Sequence, residues 1–168
     1  MALLEIITIG HPTLARRALP VENINQEIVE LARNMVETMH QAPGIGLAAP
    51  QVNVGLRLIT IDLSVGENRD DLIIMVNPEI IEAEGEQVSE EGCLSVPGIY
   101  EKVARPLRIL VRGHNLDGRE VRLEASDLLA RVFCHEIDHL DGKLFVDRLS
   151  PLKRRLLRSR LKKEQGKT

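Results

Sequence analysis

The segment His135-Glu136-Ile137-Asp138-His139 sets two histidines four residues apart, and this spacing constrains the fold more than any other feature of the chain. On an α-helix, residues i and i+4 lie one above the other, so both imidazoles can meet one metal ion. Glu136 stands beside the first histidine, placed to take a proton from water activated by that ion. The competing reading is a solvated helix end with two incidental histidines. If the metal reading holds, the rest of the chain must pack around this helix and supply at least one more donor.

Two ligands do not make a catalytic site; a third is needed, with one position left open. In one protease arrangement a third histidine follows six residues on, but position 145 is Phe145. A downstream glutamate would have to be Glu164, the only acid after Asp147 and part of a basic stretch. The third donor is therefore expected upstream. Cys93 is the candidate, within Glu91-Gly92-Cys93-Leu94-Ser95-Val96-Pro97, because a nearby divalent ion lowers a thiol's pKa. Cys134 precedes His135 and faces about 100° away around the helix. It reads as a small buried hydrophobe, and a Cys93–Cys134 disulfide is an alternative that a reducing compartment disfavours. His11, His40 and His114 read as ordinary surface or loop histidines, and Met35 and Met39 as core residues.

The chain has 168 residues, 43% hydrophobic and 28% charged, which is one ordinary domain able to bury a core. That apolar share excludes disorder. No apolar stretch is long enough to span a bilayer. The start, Met-Ala-Leu-Leu-Glu, has neither a basic region nor a long apolar run, so a cytoplasmic protein is expected. Aromatic residues make up 2%, which argues against a base-stacking nucleic-acid surface. The net charge of −3 hides an asymmetry: residues 152–168 carry eight Lys/Arg against Glu164, a net of +7, which leaves −10 for the rest. Such a tail is either a solvated helix or a contact for RNA phosphates.

Residues 3–9 read as a short strand, and Pro12 as the start of a helical turn. Asn23 with Gln26 suggests a capping box for a helix that runs to about His40. Its apolar face is Ile24, Ile28, Leu31, Ala32, Met35, Val36 and Met39. Residues 44–51 are too rich in Gly and Pro for a regular element. Strand-like runs follow at 56–63 and 72–84, and 85–106 reads as irregular. Residues 107–114 alternate, and Asp117-Gly118 signals a hairpin into Val121 and Leu123. Ser126 is expected to cap the ligand helix to Leu140, closed by Gly142. Ser150-Pro151 announces a last helix with Leu152, Leu156, Leu157 and Leu161. Helices and strands segregate without βαβ alternation, so the expected class is α+β: mixed or antiparallel sheets packed around a central metal-binding helix, with a C-terminal helix. Residues 1–151 form the expected catalytic domain and 152–168 its basic tail.

Three segments, Gly44-Ile45-Gly46-Leu47-Ala48-Ala49-Pro50-Gln51, Glu91-Gly92-Cys93-Leu94-Ser95 and His135-Glu136-Ile137-Asp138-His139, resemble in order and spacing the three motifs of the peptide deformylases. The likeness extends from Gly10-His11-Pro12-Thr13-Leu14 to the final helix. It implies hydrolytic removal of the formyl group from the N-terminal formylmethionine of nascent polypeptides, releasing formate. It further implies Cys93, His135 and His139 as metal ligands, Glu136 as general acid/base, and Gln51 with the Leu94 backbone N–H as oxyanion donors. Backbone at Ile45, Gly46 and Gly92 would pair with substrate as an added strand. Ile45, Tyr100, Val132 and the His135 ring would shape the methionine pocket. Asp138 is similar to a carboxylate that, paired with Arg105, holds the ligand helix. The implied metal is Fe(2+), one per chain, with Zn(2+) in some relatives; the donor set itself accepts several divalent ions. The basic C-terminal helix is similar to that of bacterial deformylases, which implies ribosome contact. Cys134 departs from the pattern, standing where Gln is frequent, and Tyr100 and Arg131 lie at a pocket edge that varies. Three other functions compete: a peptidase cutting internal bonds, a module with structural zinc, and a ribosome-binding protein with an inactive site. The last two predict that Glu136 is dispensable.

Overall fold

A central strand buried on both faces, Leu58–Ile61, and outer strands that alternate between buried and more exposed residues build the main sheet. In the computed structural model, which describes residues 2–165, five strands make one antiparallel sheet: β1 (Gly46–Ala48), β2 (Leu58–Ile61), β3 (Ile73–Glu84), β6 (Arg108–His114) and β7 (Glu120–Ser126), ordered β1-β2-β3-β6-β7. Successive side chains point to opposite faces. Ile59 and Ile61 therefore join Met75, Ile109 and Val111 beneath the ligand helix α2 (Asp127–Leu140). Leu58 and Val76 belong to a second cluster under α1 (Gln26–Gln41), and Thr60 points the same way, donating to Met39 Sδ at 3.5 Å. One sheet thus separates the two helices. The class is α+β, as expected, and every strand ladder is antiparallel. The parallel pairing present among the described residues is an isolated bridge, Leu19 to Leu56.

The structure corrects several local expectations. Residues 3–9 form no strand. They run extended, tied by single bonds from Ile7 N–H to Gln51 O and from Ile9 N–H to Ser95 O at 2.8 Å each, with no neighbouring strand to continue a ladder. The cap of α1 is Asn25, not Asn23: its side chain accepts from Ile28 N–H at 3.1 Å. Asn23 lies two residues too early for that reach. Residues 44–51 do contain regular structure, the short strand β1 and a 3-10 turn at Ala49–Val52.

The largest correction concerns 85–106, which is not irregular but a hairpin of β4 (Gln87–Cys93) and β5 (Val96–Arg105). Glycine at 92 and 98 hid the alternation, and the ladder carries a register shift between Glu91 and Cys93. Ile99 and Val103 face inward from β5, packing with Val96 on Leu144, Phe145, Val146 and Leu149. The last helix, α3 (Pro151–Gln165), docks on that cluster through Leu157 and, partly, Leu161. Leu152 and Leu156 instead stay exposed.

The entry into α2 is also unlike the expected serine cap. Ser126 makes no side-chain capping bond. Asp127 turns the chain with φ +55°, its N–H donating to Leu107 O at 2.9 Å and its carbonyl accepting from Gln87 Nε2 at 2.7 Å. At the other end, Arg57 Nη1 donates to Leu140 O at 2.9 Å and Nη2 to Asp141 Oδ1 at 3.0 Å. A cation at a helix C-terminus satisfies carbonyls that have no intrahelical partner. Gly142, at φ +76°, lets the chain turn away. No helix among the described residues is long and apolar enough to cross a membrane.

Candidate active site

Two turns of α2 deliver His135, Glu136 and His139 into the interior, with 9%, 4% and 0% exposure. Such burial in a mid-sized domain excludes the reading of a solvated helix end. Cys93 meets them from the end of β4, just past the register shift. Its Sγ lies 3.4 Å from His139 Nε2, which is 3.2 Å from His135 Nε2, and all three donor atoms fall within 4.8 Å of one another. Ligands of a tetrahedral ion, each about 2.0–2.3 Å from it, stand roughly 3.3–3.6 Å apart. The cluster therefore fits a small divalent ion, and its thiolate and imidazole chemistry suits Fe, Zn or their neighbours. It is the one group of this kind among the described residues.

The tautomer of His135 is set from behind. Its Nδ1 lies 3.0 Å from Glu91 Oε1, so the proton sits on Nδ1 and the Nε2 lone pair faces the cluster. Glu91 is itself held by Arg105, through Nε and Nη2 at 2.9 Å each, and by Arg131 Nη1. Arg105 Nη1 then bridges at 2.6 Å to Asp138, which also receives Arg148 through Nε at 3.0 Å and Nη2 at 2.6 Å. The expected Asp138–Arg105 pair is thus present, within a larger chain of charges.

Sequence reasoning missed Glu91, Arg131 and Arg148 as parts of this chain. One signal was available: Arg131 and His135 are four residues apart, hence on one face of α2. Although burial raises the Glu91 pKa, hydrogen bonds from Arg105 and His135 outweigh it and hold the carboxylate at about 2. The Cys134 thiol is pushed up to about 11, first by burial, so it stays protonated as a packing residue. Both cysteines are free thiols.

Above the cluster opens a cleft of about 510 Å³. Ile45, Gly46, Gly92, Tyr100 and Val132 all line it, with Gln51, Cys93, Leu94, His135 and Glu136. Tyr100 is 63% exposed, so it forms a rim and not a buried wall. Gly46 is needed for close approach, since a Cβ there would lie 2.5 Å from Glu136 Oε2. Gln51 has one orientation: Oε1 accepts from Ala48 N–H at 2.9 Å, so Nε2 faces Cys93 Sγ, 3.6 Å away, and Ser95 Oγ at 3.2 Å. Glu136 Oε1 is buried with no hydrogen-bond partner among the described residues. Burial pushes the Glu136 carboxyl up to about 7. Burial holds His139 well below the usual imidazole range.

A cluster of one thiol and two imidazoles, with an unpaired carboxylate at its edge and an amide donor opposite, can hydrolyse an amide or ester. Comparison with known proteins narrows this to one group. The family model described as polypeptide deformylase matches residues 3–155. The chain belongs to the polypeptide deformylase family. It is 49% identical over 162 residues to a peptide deformylase of Thermodesulfovibrio yellowstonii, covering 96% of this chain and 98% of the relative. It is also 52% identical over 149 residues to that of Halothermothrix orenii, covering 89% and 95%. The crystal structure of a peptide deformylase from Legionella pneumophila superposes with a TM-score of 0.90 at 41% identity, covering 99% of each chain. The function is accordingly that of a peptide deformylase, a metal-dependent hydrolase acting on formylated nascent peptides.

Proposed function

We propose that Cys93, His135 and His139 hold one divalent ion, Fe(2+) in the native enzyme, and that Glu136 moves the proton while formate is released from formylmethionine. The observation that carries this reading is the convergence of those three donor atoms within 4.8 Å of one another beside the unpartnered Glu136 carboxylate. An ion held by these three residues would supply Lewis-acid polarisation of the formyl oxygen and a water of lowered pKa, towards about 7.

The chain's own groups carry the remaining work. Glu136 accepts the proton of the attacking water through Oε1 and passes it to the methionine nitrogen as the C–N bond breaks. Gln51 Nε2, fixed by the Ala48 contact, and the Leu94 backbone N–H donate to the developing oxyanion. Loss of one such donor costs on the order of 3–4 kcal/mol. The substrate backbone runs as an added strand between β1, the outer strand of the large sheet, and β4, whose one ladder partner is β5. Backbone at Ile45, Gly46 and Gly92 pairs with it, while Ile45, Val132 and the rim residue Tyr100 enclose the methionine side chain. Asp138 and Arg105 hold α2 in place from behind. Glu136→Gln tests the assignment: it should keep about one ion per chain and lose formate release, whereas retained turnover would contradict it.

We further propose that residues 1–151 are the catalytic body and 152–168 a basic tail that contacts the ribosome in the cytoplasm. Arg155, Arg158 and Lys162 are exposed on α3, as phosphate contacts require. Residues 166–168 lie outside those described. Because Leu157 is part of the core, charge reversal is a cleaner test than deletion. Arg155→Glu with Arg158→Glu and Lys162→Glu should weaken ribosome co-sedimentation in a salt-dependent way and spare turnover of formyl tripeptides. Unchanged co-sedimentation would contradict the contact.

A further inference from the structure

His40, expected to be an ordinary surface or loop histidine, is instead bonded to a buried acid. Its Nε2 lies 2.7 Å from Asp62 Oδ2, and Asp62 is 1% exposed. The carboxylate also accepts from Ser64 N–H at 2.9 Å, Ser64 Oγ at 2.6 Å and Gly66 N–H at 3.0 Å. These bonds wrap the turn after β2, where Val65 sits at φ +53°, a conformation unusual for a β-branched residue and held only where its surroundings over-determine it.

The backbone of Asp62 reaches the cleft. Its N–H donates to Ile45 O at 2.9 Å. His40 lies in the last turn of α1, and Gly44 N–H bonds back to Met39 O at 2.7 Å. The chain from His40 to Ile45 is therefore a short loop closed across Asp62, by the carboxylate at one end and the amide at the other. Closure of so short a loop removes most of its freedom. The same loop leads into Gly46, where a Cβ would meet Glu136 Oε2 at 2.5 Å, and contains Gly44, where a Cβ would meet Leu94 Cδ1 at 2.9 Å. A shift of a few tenths of an ångström would disturb both neighbours.

We propose that Asp62, acting through His40, is a positioning residue that holds the Ile45–Gly46 edge in register for the substrate backbone. The proposal rests on the reading that the substrate pairs there as a strand. Such pairing is made equally in the ground and transition states, so its loss raises KM and leaves kcat nearly unchanged. General loosening would instead lower the active fraction, and with it kcat.

The test is steady-state formate release by the metal-loaded enzyme on formyl-Met-Ala-Ser and on formyl-Met. His40→Ala should raise KM for the tripeptide about three- to tenfold with kcat within twofold, and raise it less for formyl-Met, which has less backbone to pair. His40→Gln, which keeps a donor for Asp62, should restore KM to within twofold. Ser64→Ala, which removes the 2.6 Å bond to the same carboxylate, should act in the same direction and serves as a second variant if His40→Ala folds poorly. An unchanged KM in both variants, equal losses on both substrates, or a His40→Gln no better than His40→Ala would overturn the clamp. If the wild type gains nothing from the longer peptide, the strand-pairing reading itself fails, and the clamp's role in substrate binding falls with it.

Discussion

Replacing Glu91 by glutamine removes one charge and changes almost no volume, yet it should weaken both the fold and the metal centre. Each oxygen of Glu91 faces two donors: Oε1 meets Arg105 Nη2 and His135 Nδ1, and Oε2 meets Arg105 Nε and Arg131 Nη1. Whichever way the amide turns, its NH₂ group confronts two of them. Against the arginines it leaves buried donors unmet and takes from Arg131, at 4% exposure, its carboxylate partner, while Arg105 keeps Asp138 alone. Breaking a buried pair by removing one partner costs about 3–5 kcal/mol. For a chain of this size, that lowers the melting temperature by on the order of 10 °C.

Against His135 the amide has a different effect. The imidazole can relieve the clash only by moving its proton from Nδ1 to Nε2, and that proton then occupies the lone pair which faces Cys93 and His139. Loss of such a supporting contact typically costs 10–100-fold in metal affinity. Calorimetry on the metal-free protein, with Zn(2+) affinity measured by chelator competition, reads both effects. A Glu91→Gln protein that melts within 2 °C of wild type and binds zinc equally well would refute the reasoning.

Two further outcomes follow from local geometry. Gly46→Ala brings a Cβ to 2.5 Å from Glu136 Oε2 and 2.9 Å from Val132 Cγ1; displacing the carboxylate by about 1 Å should lower kcat/KM about a hundredfold while metal content, measured on the same sample, stays at the wild-type level. Burial raises the Asp62 pKa, but hydrogen bonds from Ser64, His40 and Gly66 outweigh burial and hold it below its ordinary value. The stability it contributes is thus fully present above the ordinary carboxylate value of 3.8 and is lost as pH falls through the lower folded value. Urea unfolding should show Asp62→Asn less stable than wild type by about 1–3 kcal/mol at pH 7, with the gap constant down to pH 5 and narrowing below pH 4; a gap that widens in acid would contradict it.

The parts of the site that could be read from sequence are those whose geometry is local. His135 and His139 lie on one helical face by spacing alone, and Cys93 followed once the downstream candidates failed. Long-range partners were not legible in this way. Glu91 acquires its role only when β4 is folded against α2, and Arg148 reaches Asp138 from the segment beyond Gly142. His40 looked ordinary because its partner, Asp62, lies beyond β1, the 3-10 turn at Ala49–Val52 and β2.

Among the elements, α1, α2 and β6–β7 were legible because periodicity and turn residues agree. The β4–β5 hairpin was not, because glycines that admit a register shift also erase the alternation that marks a strand. Residues 3–9 have strand-like composition but no adjacent edge to pair with, and composition cannot report a missing neighbour. The leucines of α3 divide between core and solvent for a similar reason: which of them dock depends on where β5 and the 3-10 turn at Phe145–Arg148 stand.

The most direct test of the central claim is formate release from formyl-Met-Ala-Ser by protein purified without oxygen, with bound metal identified and counted on the same sample. Turnover is expected with about one divalent ion per chain, iron in the native protein. Protein that carries its ion yet releases no formate, or that turns over with no ion bound, would contradict the account.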